Sequence, residues 1–473
     1  MRVLPVGTGL ALDRYLLRFR DGTVLAGGHP GRVITLTPEG AAALDALVHG
    51  SRTDDTAEDT VAELAGRLVD AGMAHPRRAR ALHPAPPVTV VVPVLDRVGE
   101  LECCLTALGD DAPVVVVDDA SRDPESVARV SAAHGARLVR RAGNGGPAAA
   151  RRDGVAATRT ELVAFVDSDC IVTTDWLDRL TWLFDDPTVG AVAPRVRPAN
   201  PGARRRPRVV ERFAQAKSPL DLGPDEGEVG PGRAIPYVPT TALVVRRRAL
   251  DSVGSFDPAL RVGEDVDLVW RLVDAGWRVR YEPGVHVSHI EPDRWAPFLS
   301  RRLRYGTSGA PLAERHPGRL APVELRLLPT AIALAVLWGR PRTAAVGVGV
   351  SAALLGRSVR RFGIPTRQVV RWSVQGAGLT VIGLGRAATM LGGPALVAMV
   401  LGGRRTRRAG LALILAPPLV EWFRRRPDLD PVRWVAASVA DDVAYGTGVW
   451  LGCVRSRSFG ALLPVIRLRS TDS

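Results

Sequence analysis

Four strand-like runs separated by helix-compatible stretches constrain this chain more than any other feature in it. They are Val88-Thr89-Val90-Val91-Val92-Pro93-Val94, Val114-Val115-Val116-Val117, Ala136-Arg137-Leu138-Val139-Arg140 and Leu162-Val163-Ala164-Phe165-Val166. Near-continuous β-branched runs without alternation suit strands covered on both faces. Strand and helix taken in turn predict a parallel sheet and an α/β domain of the nucleotide-binding type. The fourth run closes in Asp167-Ser168-Asp169, and Thr173-Thr174-Asp175 then opens a helix. Both acids therefore fall at the carboxyl edge of the sheet, where open α/β sheets bind ligands. Hard oxygen ligands there suit Mg²⁺ or Mn²⁺, which in turn suit a diphosphate. A solvated acidic turn is the plainer alternative for this motif taken alone.

At 473 residues the chain exceeds one ordinary domain, and two or three are expected. Its net charge of +14 is almost wholly arginine, since Lys217 is the only lysine. Basic residues are not interleaved with aromatics, which argues against nucleic acid and leaves a membrane surface or a phosphorylated substrate. Four cysteines, two of them adjacent, make neither a disulfide framework nor a metal spacing. Residues 1–12 lack the charged start and apolar core of a signal peptide, so the cytoplasmic side is expected.

Residues 1–80 read as a small α+β unit. Asp21-Gly22 marks a tight turn between two strands, residues 33–36 give another strand, and Thr37-Pro38 opens a helix with Thr37 as its cap. A second helix is predicted over residues 56–71, and residues 75–87 read as a linker rich in Pro, Arg and His. The order of elements and the pattern Leu36-Thr37-Pro38-Glu39-Gly40-Ala41-Ala42-Ala43-Leu44 resemble the winged-helix-like PqqD family of peptide-recognition modules. A plain structural appendage is the alternative.

Five motifs in order resemble the family 2 glycosyltransferases with a GT-A fold. These are the run ending Pro93-Val94, Val117-Asp118-Asp119-Ala120-Ser121, Asn144-Gly145-Gly146-Pro147 leading to Arg151, Phe165-Val166-Asp167-Ser168-Asp169, and Gly263-Glu264-Asp265-Val266-Asp267. The resemblance implies a GT-A nucleotide-diphospho-sugar transferase domain over residues 88–306. It implies that Asp118 holds the uracil of a UDP-sugar, that backbone around Pro93 and Val94 frames the base, and that Asp167 lies near the ribose. Asp169 would hold the divalent ion, with His289 as a further ligand or simply a satisfied histidine at a strand end; His286 is the weaker choice. Asp265 is the candidate catalytic base for an inverting displacement, because an acceptor hydroxyl needs a carboxylate within hydrogen-bond reach. Glu264 lies beside it at the substrate, and helix capping accounts equally for both acids. Tyr237, Thr240 and Thr241 occupy a segment that resembles the acceptor-cleft lining. Arg304 stands where processive relatives carry a Gln-x-x-Arg-Trp motif, absent here; it is a candidate for the pyrophosphate, or else part of a basic helix on a membrane.

Residues 326–470 are rich in Ala, Leu, Val and Gly, broken by arginines, and predict an apolar helical, membrane-associated region at the cytoplasmic face. Only the block 376–403 is long enough to cross a bilayer. The whole arrangement resembles the mycofactocin biosynthesis glycosyltransferases, which implies transfer of a hexose, glucose foremost, to a peptide-derived redox cofactor or its growing oligosaccharide. A family 2 enzyme of cell-wall or lipid-linked glycan synthesis, and a noncatalytic sugar-nucleotide-binding protein, are the competing expectations. A nucleotidyltransferase would need a glycine-rich basic loop after the first strand, and none follows Pro93.

Overall fold

The computed structural model describes residues 4–5, 7–50, 59–78, 85–199 and 207–467. These fall into two compact units, one of residues 1–200 and 218–290, the other of residues 201–217 and 291–473.

The first unit is built on a nine-stranded mixed sheet. Its parallel half contains all four runs read from the sequence, as strands Val88–Val94, Val114–Asp118, Arg137–Arg140 and Leu162–Val166. Val88–Val94 lies between Leu162–Val166 and Val114–Asp118, so the chain reverses its direction of winding around this strand. Ala242–Arg246 continues the sheet antiparallel to Leu162–Val166, followed by Val189–Pro198 and the long strand Arg278–His289. Burial explains the unbroken composition of the runs: Val91, Val92, Val116, Val117 and Phe165 have no exposed surface.

Helix Pro147–Ala156 lies against the first two parallel strands, and its composition is dictated by that contact. A Cβ built on Gly154 would come within 2.3 Å of Val91 Cγ1 and 3.2 Å of Val117 Cγ2. Ala148, Ala149 and Ala150 are buried beside it. Small residues bring the helix axis close to the sheet, and this sets the height at which Arg151 leaves the helix.

The first 78 residues form a smaller core around Leu25, Leu44, Leu68 and Met73. Strands Leu17–Phe19 and Val24–Gly27 pair across the Asp21-Gly22 turn, where Arg20, Asp21 and Gly22 all take positive φ. Thr37 caps helix Pro38–Val48 by accepting from the Gly40 N–H at 3.1 Å, as the sequence predicts. The second helix is Asp59–Asp70, and its predicted start at Thr56 lies outside the described residues. The predicted linker is corrected at its beginning. Ala74–Arg77 is a strand paired antiparallel with Gly9–Leu12, because the backbone on both sides of Pro76 is extended and Pro76 sits at a sheet edge where a missing N–H is tolerated.

The 218–233 segment, rich in Gly, Pro and acids, is held by ion pairs. Arg195 grips Asp221 through two bonds of 2.7 and 2.8 Å, and Arg77 grips Glu226 at 2.7 and 2.5 Å. Gly227–Val229 adds a short strand to Arg278–His289.

In the second unit, helix Val209–Lys217 packs Phe213 against Trp295, Phe298 and Trp434, with ring centroids 5.3–6.0 Å apart. Helix Trp295–Gly306 meets helix Pro431–Ser456 through glycine: a Cβ on Gly448 would reach 1.9 Å from the Leu303 carbonyl oxygen. The apolar block 376–403 is corrected as well. It is divided between helix Thr366–Leu391 and helix Gly393–Leu401, bent by 106°. Gly392-Gly393-Pro394 explains the break, since Pro394 carries no N–H and is tolerated only in the first turn of the second helix. No single helix among the described residues is long and apolar enough to cross a membrane, although this bent pair meets the length and composition needed.

Gly154→Ala is expected to lower stability by ~1–3 kcal/mol, because the added methyl must displace Val91 or lift the helix. Urea unfolding measures it; an unchanged midpoint would disprove the close approach.

Candidate active site

Register brings the acids together. Val94 pairs with Asp118, and Leu162–Val166 runs parallel on the other side of Val88–Val94, so Asp118 and Asp167 close the two strands flanking Pro93-Val94. The Val94 carbonyl accepts from the Asp119 N–H at 2.9 Å. The loops beyond are clasped together: the Asp96 N–H donates to Ser121 Oγ at 2.9 Å, and Asp96 Oδ1 accepts from the Arg122 N–H at 2.7 Å.

The two neighbouring acids, Asp118 and Asp119, have different duties. Asp118 is fully buried, accepting from the Ser121 N–H at 2.8 Å and from the Arg140 guanidinium. Asp119 accepts from Gly145 and Gly146 N–H at 2.9 and 2.8 Å, and from Arg141. It therefore fixes the turn that launches helix Pro147–Ala156.

That helix delivers Arg151 to the centre. Its Nη2 donates to Asp167 Oδ1 at 2.6 Å and its Nη1 to Glu264 Oε1 at 2.8 Å. One guanidinium thus spans the strand-end acid Asp167 and the first residue of helix Glu264–Asp274, which are almost a hundred positions apart in the chain. Burial works against the Arg151 charge, but Asp167 and Glu264 outweigh it and hold the group protonated above its ordinary range.

Asp265, next to Glu264, has no such grip. Its Oδ1 accepts from the Val266 N–H at 2.8 Å. Burial, and then the neighbouring Glu264 charge, push its carboxyl up to about 7, against the pull of that N–H and of Arg151. Asp169 is shifted the other way. Burial would raise it, yet His289 and Arg97 hold it at about 2. His289 Nε2 lies 3.5 Å from Asp169 Oδ2, which Arg97 also contacts. This pairing follows from the strand register, in which Cys170 faces His289. His286 points to the opposite face, being an odd number of residues away along the strand. Among the described residues, no three His, Cys, Asp or Glu side chains gather in a metal-binding group.

The remaining candidates differ in their placement. The Thr241 carbonyl accepts from the Asp167 N–H at 3.0 Å, and the Pro236 carbonyl accepts from Trp270 Nε1 at 2.8 Å. The segment of Tyr237, Thr240 and Thr241 is thereby strapped between the acid pair and the Asp265 helix. Thr240 and Thr241 are buried, and Tyr237 is half-buried. Arg304 belongs to the second unit, where it is exposed on helix Trp295–Gly306, while Arg301 and Arg302 pair with Glu291 and Asp441. Sequence reasoning missed the arginines that serve each acid: Arg97, Arg140, Arg141 and Arg151. The available signal was chemical need, since buried carboxylates require partners, but a chain this rich in arginine offers too many.

Residues 89–254 match the family model described as Glycosyl transferase family 2. Over 480 residues the chain is 37% identical to a protein of Mycobacterium tuberculosis named pre-mycofactocin glycosyltransferase, covering 98% of this chain and 99% of the relative. The chain belongs to glycosyl transferase family 2. It is a glycosyltransferase with a GT-A-like fold, extended at both ends by accessory regions of helix and sheet. An N-acetylglucosaminyltransferase of Rhizobium meliloti is 29% identical over 252 residues, or 48% of this transferase and 56% of the relative. Among solved structures, the mannosyltransferase PcManGT of Pyrobaculum calidifontis, in complex with GDP-Man and Mn²⁺, is 22% identical, with coverage of 64% of this chain and 90% of that one and a TM-score of 0.38.

Arg151→Ala leaves Asp167 and Glu264 without their shared cation and is expected to cost about 3–5 kcal/mol, with Arg151→Lys recovering part of it; denaturant titration separates the two. For Asp265, a raised carboxyl means that the folded state holds its proton more tightly, so stability falls as pH climbs from about 4 to 7. Asp265→Asn removes that cost, and its gain in Tm is expected to be larger at pH 8 than at pH 4.5. A pH-independent difference would contradict the raised ionisation.

Proposed function

We infer that this transferase moves a hexose, glucose foremost, from a UDP-sugar to a hydroxyl of pre-mycofactocin or of its growing oligosaccharide, inverting the anomeric centre. The observation that carries this reading is the 37% identity sustained over almost the whole length of both proteins. The geometry supports a division of labour. Asp265 is the general base, since a carboxyl lifted to about 7 is matched to taking a proton near neutral pH. Asp118 receives the uracil imide, Pro93 and Val94 frame the base, and Asp167 meets the ribose while Arg151 holds it. Glu264 sets the field around Asp265, and Tyr237, Thr240 and Thr241 line the acceptor side. Arg304 is proposed for the pyrophosphate on its sequence position alone.

Asp169 and His289 offer one carboxylate oxygen and one imidazole nitrogen 3.5 Å apart. This donor set fits Mg²⁺ or Mn²⁺, provided the rest of the shell comes from phosphate oxygens and water. When bound, the ion supplies positive charge to the departing diphosphate. His289, and Arg97 on the same Asp169 oxygen, keep that carboxylate ionised. The PqqD-like reading of the first 80 residues is retained as a proposal: the head reads the peptide-derived acceptor. The apolar helices of the second unit are proposed to hold the enzyme at the cytoplasmic face of the membrane.

Incubation with UDP-glucose, Mn²⁺ or Mg²⁺ and the unglycosylated acceptor is expected to add hexose masses by mass spectrometry. No mass gain, with transfer to a lipid or cell-wall acceptor instead, would replace this reading. Asp265→Asn is expected to bind UDP normally and to lose about 10²–10⁴-fold in kcat. In the wild type, kcat/KM is expected to rise with pH and level off above about 7, because the base must be ionised.

A further inference from the structure

Among the described residues, the helices of the second unit leave an apolar surface uncovered. In helix Pro341–Val359 the outward positions Val346, Val350 and Leu354 recur every four residues, with Arg342 and Arg357 at the two ends of the stripe. Helix Gly393–Leu401 has no polar side chain, and only Leu396 among its residues is buried. Val397 and Leu401 are 58% and 81% exposed. Directly after it come Arg404, Arg405, Arg407 and Arg408, all exposed. Helices of a soluble bundle turn their apolar stripe inward and keep polar residues outward, whereas these turn large apolar side chains outward as well.

Charge identifies what covers the surface. From Leu327 to Arg426 the chain has 15 arginines, no lysine and one acid, Glu421. That acid is consumed internally by Lys217, Arg386 and Arg425. A second copy would present the same positive face and be repelled. Apolar stripes ended by arginine suit a bilayer whose headgroups are anionic, where side chains such as Val397 and Leu401 enter the acyl boundary and arginines remain at phosphate level. The chain bends by 106° at Gly392, so helix Gly393–Leu401 does not continue the direction of helix Thr366–Leu391.

We propose that the second unit docks on an anionic lipid leaflet from one side, inserting the Val346–Val350–Leu354 and Val397–Leu401 stripes and binding headgroup phosphates through the arginines that end them. This deepens the membrane reading given above and is independent of the transfer reaction.

Flotation of the full-length protein with preformed vesicles, without donor or acceptor, tests it. Vesicles of phosphatidylglycerol and phosphatidylcholine are expected to carry the protein, while phosphatidylcholine alone carries at least tenfold less, and added salt weakens capture. Replacing Arg404, Arg405, Arg407 and Arg408 by serine is expected to weaken capture on the order of a hundredfold. Val397→Glu with Leu401→Glu, at exposed positions outside any core, is expected to abolish insertion. UDP binding, retained in all variants, reports that the enzyme is folded, so failure of the donor reading shows separately. In a Cys103→Ser background, cysteines placed at Ser358 and Gly403 are both expected to react with an impermeant maleimide added outside the vesicles. Capture indifferent to lipid charge, glutamate variants that float like wild type, glutamate variants that only dissociate an oligomer, or protection of one cysteine by the vesicle would each overturn the proposal.

Discussion

A single buried guanidinium joins two parts of the first unit that the chain itself keeps far apart. Arg151 binds Asp167 at the end of a central strand and Glu264 at the start of a helix. Without this bridge both acids would lose the cation they share. A charge taken out of water must be paired and hydrogen-bonded or it destabilises the fold. The site is therefore held by the same interaction that makes burying its charges tolerable. The small residues of helix Pro147–Ala156, with Gly154 against Val91, allow the arginine to reach this position.

The same arrangement separates the acids by ionisation. Asp169 faces His289 and Arg97 and is held far below its ordinary range, a state suited to binding cations. Asp265 lies beside Glu264, whose arginine partner is already engaged, and burial lifts it toward neutrality. Two carboxylates with opposite shifts in one site are the pattern expected where one group is to hold charge and another is to exchange a proton. Their proposed roles rest on that contrast as much as on family likeness.

In the second unit, close packing and surface chemistry make opposite demands. Gly306, Gly448 and Gly452 bring two helices into backbone contact, and Phe213 joins Trp295, Phe298 and Trp434 in an aromatic cluster. Phe213 comes from residues 201–217, a segment that belongs to this unit although the chain on both sides of it belongs to the first. Core glycine and aromatic residues fix the interior. The outward faces remain apolar and arginine-ended, so the unit has a well-packed inside and an outside unlike that of an ordinary soluble bundle.

The sequence by itself determined the parallel strands, their order of appearance, the Thr37 cap and the acids at strand ends, because hydrophobic period and capping act over a few residues. It also contained the break at Gly392-Gly393-Pro394, although the apolar length of block 376–403 masks it. Tertiary structure alone decided which arginine serves which carboxylate, that Ala74–Arg77 is a strand, that residues 201–217 join the second unit, and that Asp265 is lifted while Asp169 is lowered. Those outcomes depend on contacts across tens to hundreds of residues and on burial, which no local pattern encodes.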